Sequence, residues 1–313
     1  MLNLFDIPKP QTGYISVFPG FSDSLNLSWT TWEKPAGISM IYILCIGAGG
    51  GGSSGFPSAT ITARGGGAGG GSGAVASTLI PAAVLPDILY VNPGCRGKGG
   101  ASSTTISNAG SNGASTLVAI APDTAAIYGV CVAGRGSPGG AATASAVGNG
   151  GAGGVALTVA SCRMASLGTF VSIAGQNGAN GGAVANGAGV SIVYPTTGLL
   201  LSGGAGGGGG STGAGGDVAA PGGQTNNLLL FLALSGGTAG TVPGNGLSGH
   251  ERVTPLISSG GSGGGCNSGN QLGGHGGDGG FGSGGGGGGA GGTTGGGGAG
   301  GNGGPGLVII YSW

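Results

Sequence analysis

Short apolar runs alternate with glycine runs along the whole chain, and neither kind carries helical spacing. Ile38–Ile46 reads Ile-Ser-Met-Ile-Tyr-Ile-Leu-Cys-Ile and passes straight into Gly47-Ala-Gly-Gly-Gly-Gly. The same order recurs within Asp87–Gly100 (ILYV, then NPGCRGKGG), Ala126–Gly140 (IYGVCVA, then GRGSPGG) and Thr169–Gly182 (FVSIA, then GQNGANGG). It recurs again in Gly198–Gly210 (LLL, then SGGAGGGGG) and Leu228–Gly240 (LLLFLAL, then SGGTAG). Return strands are expected at Ala74–Ile80, Ala114–Ala119, Gly154–Val159 and Val190–Tyr194, and LVIIYSW at Leu307–Trp313 ends the chain. β-Branched and apolar residues dominate these runs, and no sustained i, i+3, i+4, i+7 pattern competes with them. Such an internal quasi-repeat predicts one supersecondary unit used many times. The fold class expected is all-β: a β-sandwich or barrel-like base with glycine-rich excursions leaving one end.

The last tract says how those excursions pack. Gly273–Pro305 reads GGH-GGD-GGF-GSG-GGG-GGA-GGT-TGG-GGA-GGN-GGP, with glycine in the first two places of every triplet apart from Ser283 and Thr294. Collagen needs one glycine per triplet with ring-rich partners, so this is a different object. A period of three suits a polyproline-II-like helix, with three residues per turn and no internal hydrogen bonds. Glycine keeps the N–H that proline lacks, so neighbouring chains of this kind can approach closely and bond to one another. Packing as polyglycine-II-like helices is therefore expected. The third face, with His275, Asp278, Phe281, Ala290 and Asn302, is expected to look outward.

Composition supports a packed chain. Glycine (88) and proline (15) make about a third of the 313 residues, yet 38% are hydrophobic and only 5% charged. Disordered chains combine low hydrophobicity with high net charge; this one has a formal net charge of zero and a positive mean hydropathy. Neutrality argues against nucleic acid or an anionic membrane as partner. No apolar run reaches a membrane span; Leu228–Leu234 is too short and Val75–Val91 is interrupted by Pro81, Pro86 and Asp87. The start, Met1 to Pro10, has no basic opening and no long apolar core, and does not read as a signal peptide. The five cysteines (Cys45, Cys95, Cys131, Cys162, Cys266) lie far apart with no CxxC, and read as small buried residues in a reducing compartment.

Residues 1–28 are aromatic and nearly free of glycine, with Phe5, Tyr14, Phe18 and Phe21. They read either as an attachment segment or as a plain N-terminal strand. No charged linker divides the remainder, so 29–313 reads as one glycine-rich domain.

Three stretches carry a resemblance. Trp32-Glu-Lys-Pro-Ala-Gly, the strand ending Cys45-Ile-Gly-Ala-Gly-Gly-Gly-Gly, and the close Gly-Gly-Asn-Gly-Gly-Pro-Gly-Leu-Val-Ile-Ile-Tyr-Ser-Trp resemble glycine-rich tail-fibre and head-fibre proteins of tailed bacteriophages. The likeness covers 29–52 and 300–313, and the middle only in style. It implies a virion appendage, assembled in the host cytoplasm and displayed on the particle surface. Other virion proteins and two further copies in a homotrimer would be its partners, and a host surface glycan or protein its ligand. Adhesins of this style touch their receptors through loops between glycine motifs. The corresponding insertions here are Ser53–Arg64, Asn108–Asn112 and Leu247–Pro255, and the anchors within them are Phe56, His250 and Arg252. A purely structural fibre component and a cellular glycine-rich surface protein are the alternatives.

Catalytic chemistry has few candidates among eight acidic residues and two histidines. His275 and Asp278 share a face in the period-three register, but two donors fall short of the three or four a metal needs. Gly47-Ala-Gly-Gly-Gly-Gly follows a strand, yet no helix or later acidic partner completes a dinucleotide fingerprint. No nucleophile–base–orienter set is readable. The expectation is a non-enzyme with no cofactor, no metal and no catalytic residues.

Overall fold

The computed structural model describes residues 13–20, 29–57, 63–158, 162–183, 187–193, 201–213, 216–227, 232–253, 256–292 and 294–313. The chain is all-β. In chain order the first strands are β1 (Tyr14–Pro19), β2 (Thr30–Glu33), β3 (Met40–Ile46), β4 (Ala63–Arg64), β5 (Val75–Pro81), β6 (Ile88–Asn92), β7 (Thr116–Ala119), β8 (Gly129–Ala133) and β9 (Thr169–Ile173). They are followed by β10 (Ile192–Val193), β11 (Gly210–Gly213), β12 (Gly216–Ala219), β13 (Thr225–Asn227), β14 (Leu232–Leu234), β15 (Glu251–Arg252), β16 (Ile257–Ser258) and β17 (Leu307–Ser312).

Two sheets make the base. One has the order β1-β17-β3-β5-β9 and the other β2-β6-β7-β8. β17 lies between β1 and β3, antiparallel to both, with Ile310 opposite Ser16 on one side and Ile43 on the other. The first and last long strands thus share one sheet of the base, as direct partners. Alternation does the rest. Ile41, Ile43, Cys45, Ile80, Val308 and Ile310 of the first sheet share one buried cluster with Trp32, Leu89, Val91, Val118, Val130 and Cys131 of the second. The opposite face of the first sheet carries Ile15, Val17, Tyr42, Val171 and Tyr311, all exposed. β1 belongs to this sheet; 1–12 and 21–28 lie outside the described residues.

The sheets feed the glycine segments directly. β3 runs into 47–56, β6 into 93–101, β8 into 134–142 and β9 into 174–183; 65–74, 108–115 and 296–306 return into β5, β7 and β17. Segment 47–56 shows the rule that follows. Gly47, Gly50 and Ser53 donate their N–H groups to 65–74; Ala48, Gly51 and Ser54 donate to 108–115; Gly49, Gly52 and Gly55 donate to 296–306. Its carbonyls accept from 93–101, 134–142 and 283–292 in the same rotation. The period of three in the sequence is therefore a period of three in hydrogen-bond direction. Every N–H of 47–56 finds a carbonyl on another segment, which is what an isolated glycine run lacks.

This lattice sorts residues by position. The innermost segments (47–56, 65–74, 201–209, 259–267 and 283–292) hold only glycine and small residues over most of their length, because neighbours close on every side. Ser53 is completely buried, and its hydroxyl accepts the Ala68 N–H at 2.8 Å. Ser53→Ala leaves that N–H without its acceptor, and we expect a loss of about 1–3 kcal/mol in chemical denaturation, since an orphaned buried donor costs its full desolvation.

Several expectations are corrected. Gly154–Val159 forms no strand over 154–158; Leu157 gives its N–H to the Ser172 side chain at 3.1 Å, so no ladder with β9 begins there. Of the expected return Val190–Tyr194, Ile192–Val193 forms β10, paired in parallel with β13, and 194 lies outside the described residues. Residues 198–200, and 228–231 of the apolar run Leu228–Leu234, lie outside the described residues. All five cysteines are buried, and none of them forms a disulfide. Burial pushes the Cys45 thiol well up and the Cys162 thiol up to about 12, so neither is a thiolate near neutrality.

The Trp32–Gly37 motif has a structural task. Trp32 is buried and donates its indole N–H to the Ser16 hydroxyl at 3.2 Å. Lys34 Nζ donates to the carbonyls of Ala82 and Leu85 and pairs with Asp87 at 3.1 Å. Gly37 closes the turn at φ 80°, in the left-handed region that glycine tolerates.

Candidate functional site

A lattice of bare backbone presents few side chains, so recognition has to use its rim. On the outer segments several polar side chains of the third register bond to a neighbouring segment. His275 Nδ1 accepts the Ala299 N–H at 2.9 Å, and Asp278 Oδ1 accepts the Asn302 N–H at 2.7 Å. Asn302 Oδ1 in turn accepts from Gly99, and Asn245 Oδ1 accepts from His275. Asn177 and Asn180 treat Gly153 and Gly150 in the same way. At the edge of the lattice a polar side chain replaces the carbonyl that a missing neighbour would have supplied. This corrects the reading of a free third face. Ala290 and Phe281 are buried outright, and His275 with Asp278 form edge acceptors tied to 296–306.

The turns at the end of the bundle farthest from the base are different. Over the eight steps from Ser283 to Gly291 the segment rises about 25 Å at ~3.1 Å per residue, and there the chain must reverse. Four stretches, at 101–107, 240–245, 267–272 and 294–296, converge around a cleft of about 600 Å³. Its walls carry Thr104, Val242, Pro243, Asn245, Gln271, Leu272, His275 and Thr294. Val242 is 77% exposed and Leu272 45%. The walls are fixed from behind. The Asn267 amide is buried; it donates to Thr241 O and accepts from Gly269 N. Backbone bridges join Ser103 to Gly297 and Gly240 to Asn267. Sequence reasoning missed this cleft because its residues come from four separate turns. The available signal was the interruption of the glycine register at Cys266–Leu272 and Thr293–Thr294.

The three residues named from sequence are not brought together. Phe56 sits at the far end, half-buried, with its carbonyl accepting the Gly291 N–H. His250 lies near the base, where its N–H meets the Ser259 hydroxyl at 2.9 Å, and Arg252 is exposed on β15 beside it. The insertion Ser53–Arg64 is described only at its two ends. Ser53, Ser54, Pro57 and Arg64 are buried, and 58–62 lie outside the described residues. Arg64 Nη1 reaches the Gly291 carbonyl at 2.5 Å, a charged side chain drawn into the lattice end. Asn108–Asn112 is a lattice segment too, accepting from Ser54 and Gly51.

A second cleft, about 410 Å³, lies on the flank near His250 and is lined by Gly20, Arg96, Ser248, Gly249, Glu251, Asp278, Gly279 and Pro305. Arg96 and Asp278 approach to 3.9 Å across it. Desolvation raises the Glu251 carboxyl above its ordinary range, and the Arg96 guanidinium opposes the rise.

Compared with known protein families, the chain matches no family pattern, and no characterised protein is similar to it in sequence.

Proposed function

We propose that this protein is a surface-displayed component of a bacteriophage particle, a tail or head fibre, that contacts the host through the far end of its glycine bundle. The observation that carries the reading is the geometry of display. A cross-bonded lattice about 25 Å tall holds four side-chain-bearing turns in one place, at the end opposite the β base. Recognition residues on loops held by a rigid scaffold are the usual arrangement for binding. Exposed Val242 and Leu272 in a polar-rimmed cleft fit a contact surface better than a solvated turn. The Trp32–Gly37 turn and the closing strand, which carry the likeness to phage fibres, both lie in the base. The alternative, a fibre component without receptor contact, predicts an inert rim.

Adsorption distinguishes them. Virions bearing Val242→Glu with Leu272→Glu are expected to adsorb at least tenfold more slowly to host cells, with the protein's melting temperature unchanged. Phe56→Ala, His250→Ala and Arg252→Ala together are expected to act only through Phe56, because the other two lie at the base end. Wild-type adsorption of the Val242/Leu272 variant would leave the structural-component reading standing and remove this one.

A further inference from the structure

We infer that the far-end cleft binds a neutral sugar, an unit of a surface glycan; the inference rests on the host-contact reading and names its ligand. The chemistry of the walls selects the class. Among the described residues no Asp, Glu, Lys or Arg lines the cleft, so an anionic or cationic ligand would enter without a counter-charge. Among the described residues no Trp, Tyr, Phe or Met lines it either, whereas protein partners are held chiefly by aromatic and Arg anchors. What the walls offer is a paired inventory of donors and acceptors beside a small apolar floor. His275 Nδ1 is committed as an acceptor for Ala299, so a neutral ring carries its proton on Nε2 and presents a donor. Asn245 uses its Oδ1 on His275 N, which leaves the Nδ2 hydrogens. The exposed amides of Asn270 and Gln271 and the hydroxyls of Thr104 and Thr294 each supply both donor and acceptor.

A pyranose presents the complementary surface: hydroxyls that both donate and accept around its edge, and C–H groups on its face. Val242, Pro243 and Leu272 provide the apolar patch for that face. The cleft volume of about 600 Å³ falls among sites for small ligands. Because Asn245 and His275 are held by lattice hydrogen bonds, the donors are oriented before the ligand arrives, which lowers the ordering cost of binding.

The test uses the full chain and neutral oligosaccharides of glucose, galactose and mannose as probes, with saturation-transfer NMR and calorimetry as readouts. At least one probe is expected to bind, and Gln271→Ala with Val242→Glu is expected to weaken it at least tenfold. Both side chains are exposed, and an unchanged melting temperature shows that the variant is folded. Failure of every neutral probe, binding that the variant leaves intact, or selective binding of acidic oligosaccharides overturns the inference. Virion adsorption measured with the probe as competitor separates the two claims. Adsorption lost in the cleft variant but not competed by any sugar keeps the host-contact reading and overturns the sugar. A cleft that binds sugar in virions whose adsorption the variant does not alter overturns the host-contact reading alone.

Discussion

Gly286→Val is expected to destabilise the protein by more than about 4 kcal/mol, at the extreme of what single substitutions do. Gly286 lies midway along 283–292, with its N–H on Gly277 O and its carbonyl accepting from Gly301. A Cβ placed there would stand 2.1 Å from Ser262 O and 2.7 Å from Ser262 C. Both atoms are backbone, so no side chain can swing aside. Relief requires the 259–267 segment to withdraw, and its bonds to neighbouring segments go with it. A loss of this size approaches the whole stability of many proteins, so the variant should melt at least ~10 °C lower or fail to fold. Circular dichroism melting checks it. Melting at the wild-type temperature would mean that the glycine segments are not packed in this way. Ala299→Ser, at a half-buried third-register position, serves as the control and should be nearly neutral.

Removing Leu307–Trp313 is expected to make the protein aggregate. β17 is the strand that connects β1 to β3, so its loss severs β1 and opens the edge of β3 along its whole length. It also withdraws Val308 and Ile310 from the main cluster and Leu307 from the cluster at the junction with the bundle. An unpaired apolar edge is a template for further pairing. Light scattering of the truncated protein checks the outcome, and a monodisperse truncation would count against the role assigned to β17. Ile310→Ala is the milder companion. The side chain is fully buried, and its truncation should cost about 2–5 kcal/mol with the sheet still intact.

Much of the fold was legible because both periodicities are local. Two-residue alternation in Met40–Ile46 and Leu307–Ser312 gives strands with one core face, and the glycine triplets of Gly273–Pro305 give a three-fold rotation of bonding groups. Period three also explains why small residues such as Ser53 and Ala290 are tolerated among glycines, since a small side chain fits the interstices of the lattice. Strand pairings across the chain follow from the ends of each excursion lying side by side.

The candidate site was less legible. Phe56, His250 and Arg252 stand out in the sequence because they interrupt glycine, yet an interruption marks either end of a segment equally. Only the count of residues along each segment places Phe56 at the far end and His250 at the base. The acceptor roles of His275, Asp278 and Asn302 were hidden for a related reason. A side chain in the third register faces solvent or a neighbour's N–H according to whether another segment lies beside it.

By itself the sequence determined the all-β class, the strands that open and close the base, and the rule that glycine segments bond outward with a period of three. These depend on intrinsic backbone freedom and on residue spacing, which are properties of short stretches. The tertiary structure decided which segments are interior, which polar side chains replace missing carbonyls, and which turns meet around the cleft of Val242, Leu272 and His275. Those are matters of which segment lies against which, and residues far apart in the chain become neighbours only when the whole lattice closes.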